Sequence, residues 1–238
     1  MPQALHVGYH LTFYPDWLDF WRGDRAALTE KFGSEEVWRS FYGGPEGRET
    51  LLRLYREDLD RAVTWGRAMW CSTWSDVSVE EGFTYHWRHT HEEVIDAAAE
   101  VINLLLGDRA WPFDFLVENQ WWPGFTFTEP ELTRRLLDGI RAERKGIMLD
   151  IGHLMNCDTS LRTEEGADYV HRMLDRHGVF AGTSGGFIFT APQRGICPGP
   201  YGFSSSGVAS GLFKAVRLRL PPYPAHRYAS ALDFPCHL

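Results

Sequence analysis

The chain has 238 residues, of which 44% are hydrophobic and 24% charged, a composition typical of a globular protein with a sizeable buried core. No apolar run approaches the roughly 20 residues that a membrane-spanning helix needs, and no basic segment precedes the first strand-like run, so we expect neither a membrane span nor a signal peptide. Four cysteines without a CxxC pair argue against a zinc finger or a disulfide framework and predict free thiols, with the cytoplasm as the expected location.

The net charge of −8 is unevenly distributed. Residues 1–178 hold 31 Asp and Glu against 19 Lys and Arg, whereas residues 179–238 hold one acidic residue, Asp233, against five basic ones. The final segment also contains seven of the 13 prolines and eight of the 23 glycines. Because Pro and Gly disfavour helices and interior strands, we predict an ordered domain over 1–178 and an irregular tail over 179–238.

The first part of the chain predicts one strand and several helices. Residues 5–11 (LHVGYHL) are typical of a buried strand, and the aromatic-rich segment after them predicts short helices around 24–42. Apolar residues recur at helical spacing from Glu49 to Trp65, which predicts an amphipathic helix. A short apolar run at 68–74 follows.

The middle of the chain alternates helices with strands. Thr90 and Glu93 are spaced as a capping box, which predicts a helix that ends near Leu106, before Gly107. The remaining predicted elements are a strand over 113–117, a helix from a second capping box at Thr128 and Glu131 to about Glu143, a strand over 146–149, and a helix from about Glu164, capped by Thr163, to His177 with Gly178 as its stop.

This alternation predicts βα units and a parallel sheet. No GxGxxG or GxxxxGK[ST] motif occurs at a strand-to-helix turn, so a dinucleotide-binding or P-loop fold is not expected. We predict an α/β fold of the (β/α)8 TIM-barrel type, incomplete at its C-terminal side. In such barrels the reactive side chains collect at the C-terminal ends of the strands.

Two carboxylates occupy such strand ends in this sequence. Glu118 follows FDFLV, Asp150 follows GIML, and His153 comes three residues later. Carboxylates that converge at a barrel mouth repel one another unless a cation or a shared proton compensates, and oxygen and imidazole ligands suit Mn, Mg, Co or Zn. The alternative is that Glu118 and Asp150 cap the following helices or pair with arginines.

The segments FLVENQWWPGFTFTEPEL and GIMLDIGHLMN resemble the xylose isomerase-like barrels, which comprise sugar phosphate isomerases and epimerases. The resemblance extends over about residues 5–178 and includes GYHLTFYPDWLDFWRGD. It implies that Glu118 is a metal ligand and also the acid/base group, that Asp150 is a second metal ligand, and that His153 binds substrate.

Aromatic side chains and a histidine extend this predicted site. Trp121 and Trp122 are candidates for a flat wall that stacks on a sugar, although core packing explains them equally well. His10 ends the first predicted strand and either faces the pocket or packs at the strand end.

A second histidine group invites a metal assignment. His86, His89 and His91 lie close together in the sequence HWRHTH, but their loop contains Arg88 and precedes a helix N-terminus. We therefore interpret the group as a solvated loop.

The family pattern breaks after Gly178. The family completes its metal site with a His from a later strand and a Glu from the last strand, and neither has a recognisable counterpart in the tail. One hypothesis is that the tail is translated out of frame, because 180–190 and 68–74 can each be encoded so that a shifted reading yields a more typical strand. The alternative is a genuinely divergent tail.

The sequence thus predicts a metal-dependent isomerase or epimerase that acts on a sugar or sugar phosphate, with weak or absent activity because two ligands are missing. An incomplete barrel also predicts self-association through an uncovered sheet edge. A nuclease similar to endonuclease IV is the alternative enzyme, but the charge of −12 over residues 1–178 disfavours nucleic-acid binding. A non-catalytic remnant is the other alternative.

Overall fold

The computed structural model describes residues 9–64, 69–107, 111–162, 165–178 and 184–188. The strands in these ranges are β1 (Tyr9–His10), β2 (Met69–Thr73), β3 (Asp114–Glu118), β4 (Lys145–Asp150) and β5 (Ser184–Ile188). The helices are α1 (Trp17–Arg22), α2 (Arg25–Phe32), α3 (Glu35–Tyr42), α4 (Arg48–Thr64), α5 (Val79–Thr84), α6 (His91–Leu106), α7 (Pro130–Gly139), α8 (Ile151–Asn156) and α9 (Gly166–His177).

The strands form one parallel sheet in the order β1-β2-β3-β4-β5, which is also their order along the chain. The predicted α/β class with a parallel sheet is therefore confirmed. Closure into an eight-stranded barrel stays a prediction, as does self-association through an incomplete barrel.

The two faces of the sheet carry different side chains. One face packs against the helices and joins the main hydrophobic core through Trp70, Phe115, Val117, Ile147 and Leu149. The alternate positions point to the opposite face, because successive side chains of a strand alternate. That inner face holds a separate small cluster of Cys71, Leu116 and Met148.

Three helices predicted from apolar periodicity form close to the expected positions. They are α4, α6 and α9, and each buries one apolar stripe against the sheet or a neighbouring helix. Both hydrogen bonds of the Thr90–Glu93 capping box form at the start of α6: each side chain accepts from the backbone N–H of the other residue. Gly107 caps the end of α6. Gly178 ends α9 as predicted.

The second predicted capping box is wrong. α7 begins at Pro130 with Glu129 as its N-cap residue and no side-chain cap, and it ends at Gly139. The hydroxyl of Thr128 is 2.7 Å from that of Thr126, so it is not directed at the helix N-terminus. Pro130 starts the helix instead, because its fixed φ suits the first helical position. The predicted cap of α9, Thr163, lies outside the described residues.

Strand β5 lies within the segment predicted to be an irregular tail. It pairs in parallel with β4 and places Ile188 opposite Asp150. Segment 69–73 likewise forms β2 in the sequence as it stands. The out-of-frame hypothesis concerns the coding DNA and stays a hypothesis. Residues 179–183 and 189–238 lie outside the described residues.

Two further expectations concern membranes and thiols. In the described ranges, every helix is too short or too polar to cross a bilayer. Cys71 and Cys157 are free thiols, as predicted. Cys197 and Cys236 fall outside these ranges, and the cytoplasmic location stays a prediction.

Candidate functional site

The site lies at the C-terminal edge of the sheet, where β3 ends at Glu118 and β4 ends at Asp150. Both carboxylates are buried, with 4% and 1% of their surfaces exposed. Neighbouring parallel strands end at the same edge, so the two side chains converge as the sequence predicts. We call this group, with His153 and His10, the edge site.

Asp150 has a structural role as well as a place in the edge site. It is the N-cap residue of α8, and its Oδ1 accepts a hydrogen bond of 2.9 Å from the backbone N–H of His153. The helix-capping alternative is therefore correct for one oxygen of Asp150. The other oxygen, Oδ2, lies 3.7 Å from Nε2 of His153.

Asn119 holds the ends of β3 and β4 together. Its side-chain oxygen accepts a 2.7 Å hydrogen bond from the backbone N–H of Asp150, and its side-chain nitrogen donates a 3.0 Å bond to the carbonyl of Asp150. Asn119 is completely buried. This pair of bonds fixes the position of the Asp150 backbone relative to Glu118.

Glu118 is surrounded by groups that stabilise its charge. Its Oε2 lies 3.1 Å from His10 Nε2 and 3.3 Å from Cys71 Sγ, and its Oε1 lies 3.4 Å from His153 Nδ1. Within the described ranges no Lys or Arg contacts Glu118, so the arginine-pairing alternative is not supported there. Burial alone would raise the pKa of Glu118, but the hydrogen bond from His10 and the charges of His10 and His153 hold it below its usual value.

His10 lies at the mouth of the site and faces Glu118, with 45% of its side chain exposed. Its Nδ1 contacts the carbonyl of Leu11 at 2.6 Å, and its Nε2 is 3.1 Å from the hydroxyl of Thr73. Desolvation alone would lower the pKa of His10. The hydrogen bond with Glu118 and the charge of Glu118 together outweigh desolvation, so the pKa of His10 lies above its usual value.

Two groups of side chains at this edge have the spacing of metal ligands. Glu118, Asp150 and His153 each offer a ligand atom, and these atoms lie within 4.8 Å of one another. His10, Cys71 and Glu118 form a second group by the same criterion. Glu118 belongs to both groups.

The predicted aromatic wall lies beside His153. Trp121 contacts the ring of His153, with centroids 5.1 Å apart, and it also contacts Trp122 at 4.4 Å. Trp122 in turn stacks on Phe13 at 5.6 Å. Both tryptophans are half-buried. Their role in binding a substrate stays a prediction.

The solvated-loop interpretation is wrong for two of the three other histidines. The side chain of His89 is 8% exposed and its Nε2 lies 3.0 Å from Asp19 Oδ1, while Nδ1 of His91 lies 3.0 Å from the carbonyl oxygen and 3.2 Å from the backbone nitrogen of Gly124. His86 is exposed, as predicted. None of the three belongs to a metal-ligand group of the described residues.

The roles of Asn119 and Cys71 were not predicted from the sequence. Asn119 directly follows Glu118, so its place at a strand end was visible. Cys71 lies two residues before Thr73, which pairs with Glu118. Counting back in steps of two from the strand end would have placed Cys71 on the same face as Glu118.

Comparison with known proteins gives distant structural likenesses. Neither a protein-family model nor a curated protein matches the sequence. The chain is similar to a D-tagatose 3-epimerase-like protein, with a TM-score of 0.38 and 15% identity over 73% of this chain and 53% of that one. It is also similar to the probable 3-DHS dehydratase AsbF, involved in petrobactin synthesis, from Bacillus anthracis, with a TM-score of 0.40 and 13% identity over 96% of this chain and 93% of that one.

The chain thus spans about half the length of the epimerase-like protein. The xylose isomerase-like family remains a resemblance of the sequence. The function proposed below depends on the residues of the edge site.

Proposed function

We propose that the edge site binds a divalent cation through Glu118, Asp150 and His153 and catalyses the isomerisation or epimerisation of a sugar or sugar phosphate. The observation that carries this proposal is the convergence of two buried carboxylates and an imidazole within 4.8 Å at the ends of adjacent parallel strands. Glu118 has no Lys or Arg partner in the described part of the chain. A bound cation would add a permanent positive charge beside the two carboxylates, where the described residues provide only histidines.

The donor set fits a divalent metal. Carboxylate oxygens and an imidazole nitrogen suit Mn, Mg, Co or Zn. The Nδ1 of His153 lies 2.9 Å from the carbonyl of Asn119, so a ring that donates there keeps Nε2 as a ligand atom. Asn119 in turn fixes the backbone of Asp150, which is the kind of support that orients metal ligands.

A divalent cation held in this position would polarise a substrate carbonyl and lower the cost of removing the neighbouring C–H proton. The residues of the chain would move that proton. Glu118 has a lowered pKa and is ionised at neutral pH, so it can accept the proton from the carbon atom. Returning the proton to the adjacent carbon, while the hydroxyl proton passes to the former carbonyl oxygen, isomerises the sugar. Protonation of the same carbon from the opposite face epimerises it.

His10 and the tryptophans would position the reactants. His10 has a raised pKa and donates to Glu118, which orients the carboxylate. Trp121 and Trp122 offer half-buried apolar surface beside His153, on which the C–H face of a sugar can stack.

The test compares purified wild-type protein with Glu118→Gln. We expect wild type to bind Mn²⁺ and to exchange the proton next to the carbonyl for deuterium when aldoses, ketoses and their phosphates are screened in D₂O by NMR. Glu118→Gln should lose both properties, because it removes a ligand and the base. Asp96→Asn, a change at an exposed residue of α6, is the matched control and should keep both.

Equal Mn²⁺ affinity in wild type and Glu118→Gln would contradict the proposal. If wild type binds no divalent metal at all, the non-catalytic remnant becomes the better description.

A further inference from the structure

A group of three different metal-binding side chains lies on the side of Glu118 that faces away from Asp150. We propose that His10, Cys71 and Glu118 form a second metal position, which prefers Zn²⁺ or Co²⁺ to Mg²⁺ or Mn²⁺. The inference builds on the proposed function, because both positions use Glu118, but it concerns a different pair of partner residues and has its own test.

The strand register brings these side chains to one face. β1 pairs His10 with Cys71, and β2 pairs Thr73 with Glu118, so the four residues share the inner face of the sheet. The ligand atoms of His10, Cys71 and Glu118 all lie within 4.8 Å of one another. Three adjacent strands thus each contribute one ligand.

The spacing of the ligand atoms fits a tetrahedral ion. His10 Nε2 and Cys71 Sγ lie 3.1 Å and 3.3 Å from the same oxygen, Oε2 of Glu118. Zn–N or Zn–O bonds of about 2.0 Å and a Zn–S bond of about 2.3 Å place tetrahedral ligands roughly 3.3 to 3.5 Å apart. Small side-chain shifts would therefore suffice. Three protein ligands leave one position open for water or substrate.

The two oxygens of Glu118 face different partners. Oε2 faces His10 and Cys71, whereas Oε1 lies 3.4 Å from the ring of His153. A single carboxylate can therefore contribute one oxygen to each ligand group.

The orientation of His10 also suits a ligand. Its Nδ1 lies 2.6 Å from the carbonyl of Leu11, and a ring that donates Nδ1–H to a backbone carbonyl presents the lone pair of Nε2 to a metal. In this structure Nε2 points at Glu118 and Thr73. His153 makes the same kind of Nδ1 contact, with Asn119.

Cys71 gives the position its selectivity. The thiol is buried and donates a hydrogen bond of 3.3 Å to Oε2 of Glu118. A divalent ion would bind the thiolate, and the thiol proton would leave to solvent. Thiolate ligands favour Zn²⁺ and Co²⁺, whereas Mg²⁺ and Mn²⁺ favour oxygen ligands.

The test is a Co²⁺ titration of the purified full chain, followed by absorption spectroscopy. Thiolate bound to Co²⁺ gives an intense near-ultraviolet charge-transfer band, which nitrogen and oxygen ligands lack. We expect this band in wild type and its loss in Cys71→Ser. Cys157→Ser is the matched control and should keep the band, because that thiol faces backbone carbonyls of Gln120, Thr126 and His153.

A second variant tests the proposal independently, in case Cys71→Ser does not fold. His10→Gln changes a side chain that is 45% exposed, and we expect it to weaken Co²⁺ binding by about tenfold or more. Mn²⁺ binding, measured in parallel by electron paramagnetic resonance, reports the position formed with Asp150 and His153. Cys71→Ser should leave Mn²⁺ affinity within about threefold of wild type, which also shows that the variant is folded.

The outcomes separate the two proposals. A thiolate band that depends on Cys71, in a protein that binds no Mn²⁺, supports the second position and overturns the proposed function. Co²⁺ binding without a thiolate band, or a band that survives Cys71→Ser, overturns the second position and leaves the proposed function standing if Mn²⁺ binds. Binding of neither ion overturns both.

Discussion

Two buried clusters of charged residues differ in where their positive charge comes from. The edge site holds Glu118 and Asp150 with histidines as neighbours. The second cluster, which we call the Lys31 cluster, lies under α1 and contains Asp16, Asp19, Asp76, Glu81, Lys31 and His89. The comparison distinguishes a cluster that contains a lysine from one whose carboxylates have only histidines as basic neighbours among the described residues.

The Lys31 cluster contains its own permanent cation. Lys31 Nζ lies 2.5 Å from Asp16 and 3.0 Å from Asp19, and only 12% of its side chain is exposed. Together with the 3.9 Å contact of Lys31 to Glu81, these contacts connect α2 with α1 and α5, so the cluster is a structural joint between three helices.

The pKa values of the carboxyl groups in the Lys31 cluster are shifted in opposite directions. Burial raises the pKa of Asp76 to about 7 and that of Asp16 to about 6. Burial also opposes the charge on Asp19, but hydrogen bonds and charges from His89 and Lys31 lower its pKa to about 2. Asp19 is thus ionised at neutral pH. Asp76 is buried near other carboxylates, and the charges of Lys31 and His89 only partly offset them.

The largest expected effect is on stability when Lys31 is removed. Lys31→Met should lower the free energy of unfolding by about 3–5 kcal/mol, because Asp16 and Asp19 would remain buried without their cation. Urea unfolding measures this. Arg135→Met breaks an exposed two-bond pair with Asp96 and should cost about 1 kcal/mol or less. Similar losses in the two variants would show that the Lys31 cluster is not a structural joint.

Asn119→Ala should cost about 2–3 kcal/mol of unfolding free energy, because it removes both hydrogen bonds of Asn119 to the buried backbone of Asp150. Asn103 provides a matched control. It makes the same two kinds of bond, to the N–H of Arg141 and the carbonyl of Gly139, but in an exposed setting where water can replace it. Asn103→Ala should therefore cost about 1 kcal/mol or less. Equal effects in urea unfolding would mean that Asn119 does not position Asp150.

Asn119 also shows how far the sequence can predict this site. The strand ends at Glu118 and Asp150 were predictable, since each follows an apolar run that must be buried. The helices were predictable where apolar periodicity and a glycine stop agree, as in α6. These signals are local, within one turn or one strand.

The missed features depend on pairing between distant segments. Asn119 bonds to a residue 31 positions away, and Cys71 contacts Glu118 across 47 positions. Lys31 contacts Asp16 and Glu81 only because α1, α2 and α5 fold together. Register and loop packing decide such contacts, and periodicity contains no information on either.

Asp76 predicts a pH dependence of stability. Its pKa is about 7 in the folded state and 3.8 in the unfolded reference, so the folded state binds the proton more tightly. The stability from this group is therefore full below about pH 4 and is lost as the pH rises toward 7. Between pH 5 and pH 8 the loss should be about 2–3 kcal/mol.

Asp76→Asn should remove this loss, because asparagine does not titrate. Urea unfolding of wild type and variant at pH 5 and pH 8 measures the difference, and the variant should gain on wild type by about 2–3 kcal/mol at the higher pH. Asp60→Asn, on the exposed side of α4, should leave the pH dependence unchanged. A parallel pH profile for wild type and Asp76→Asn would contradict the prediction.

The smallest expected effect distinguishes the edge site from the Lys31 cluster most directly. Glu118→Gln should change the free energy of unfolding by about 1 kcal/mol or less, because glutamine keeps the size of the side chain and an oxygen that can accept from His10 and Cys71. No buried Lys or Arg within the described ranges loses its partner in this variant. A loss of about 3 kcal/mol or more in urea would place Glu118 among the structural charges, with Lys31. A small loss together with abolished metal binding would mean that the charge of Glu118 serves a ligand rather than the fold.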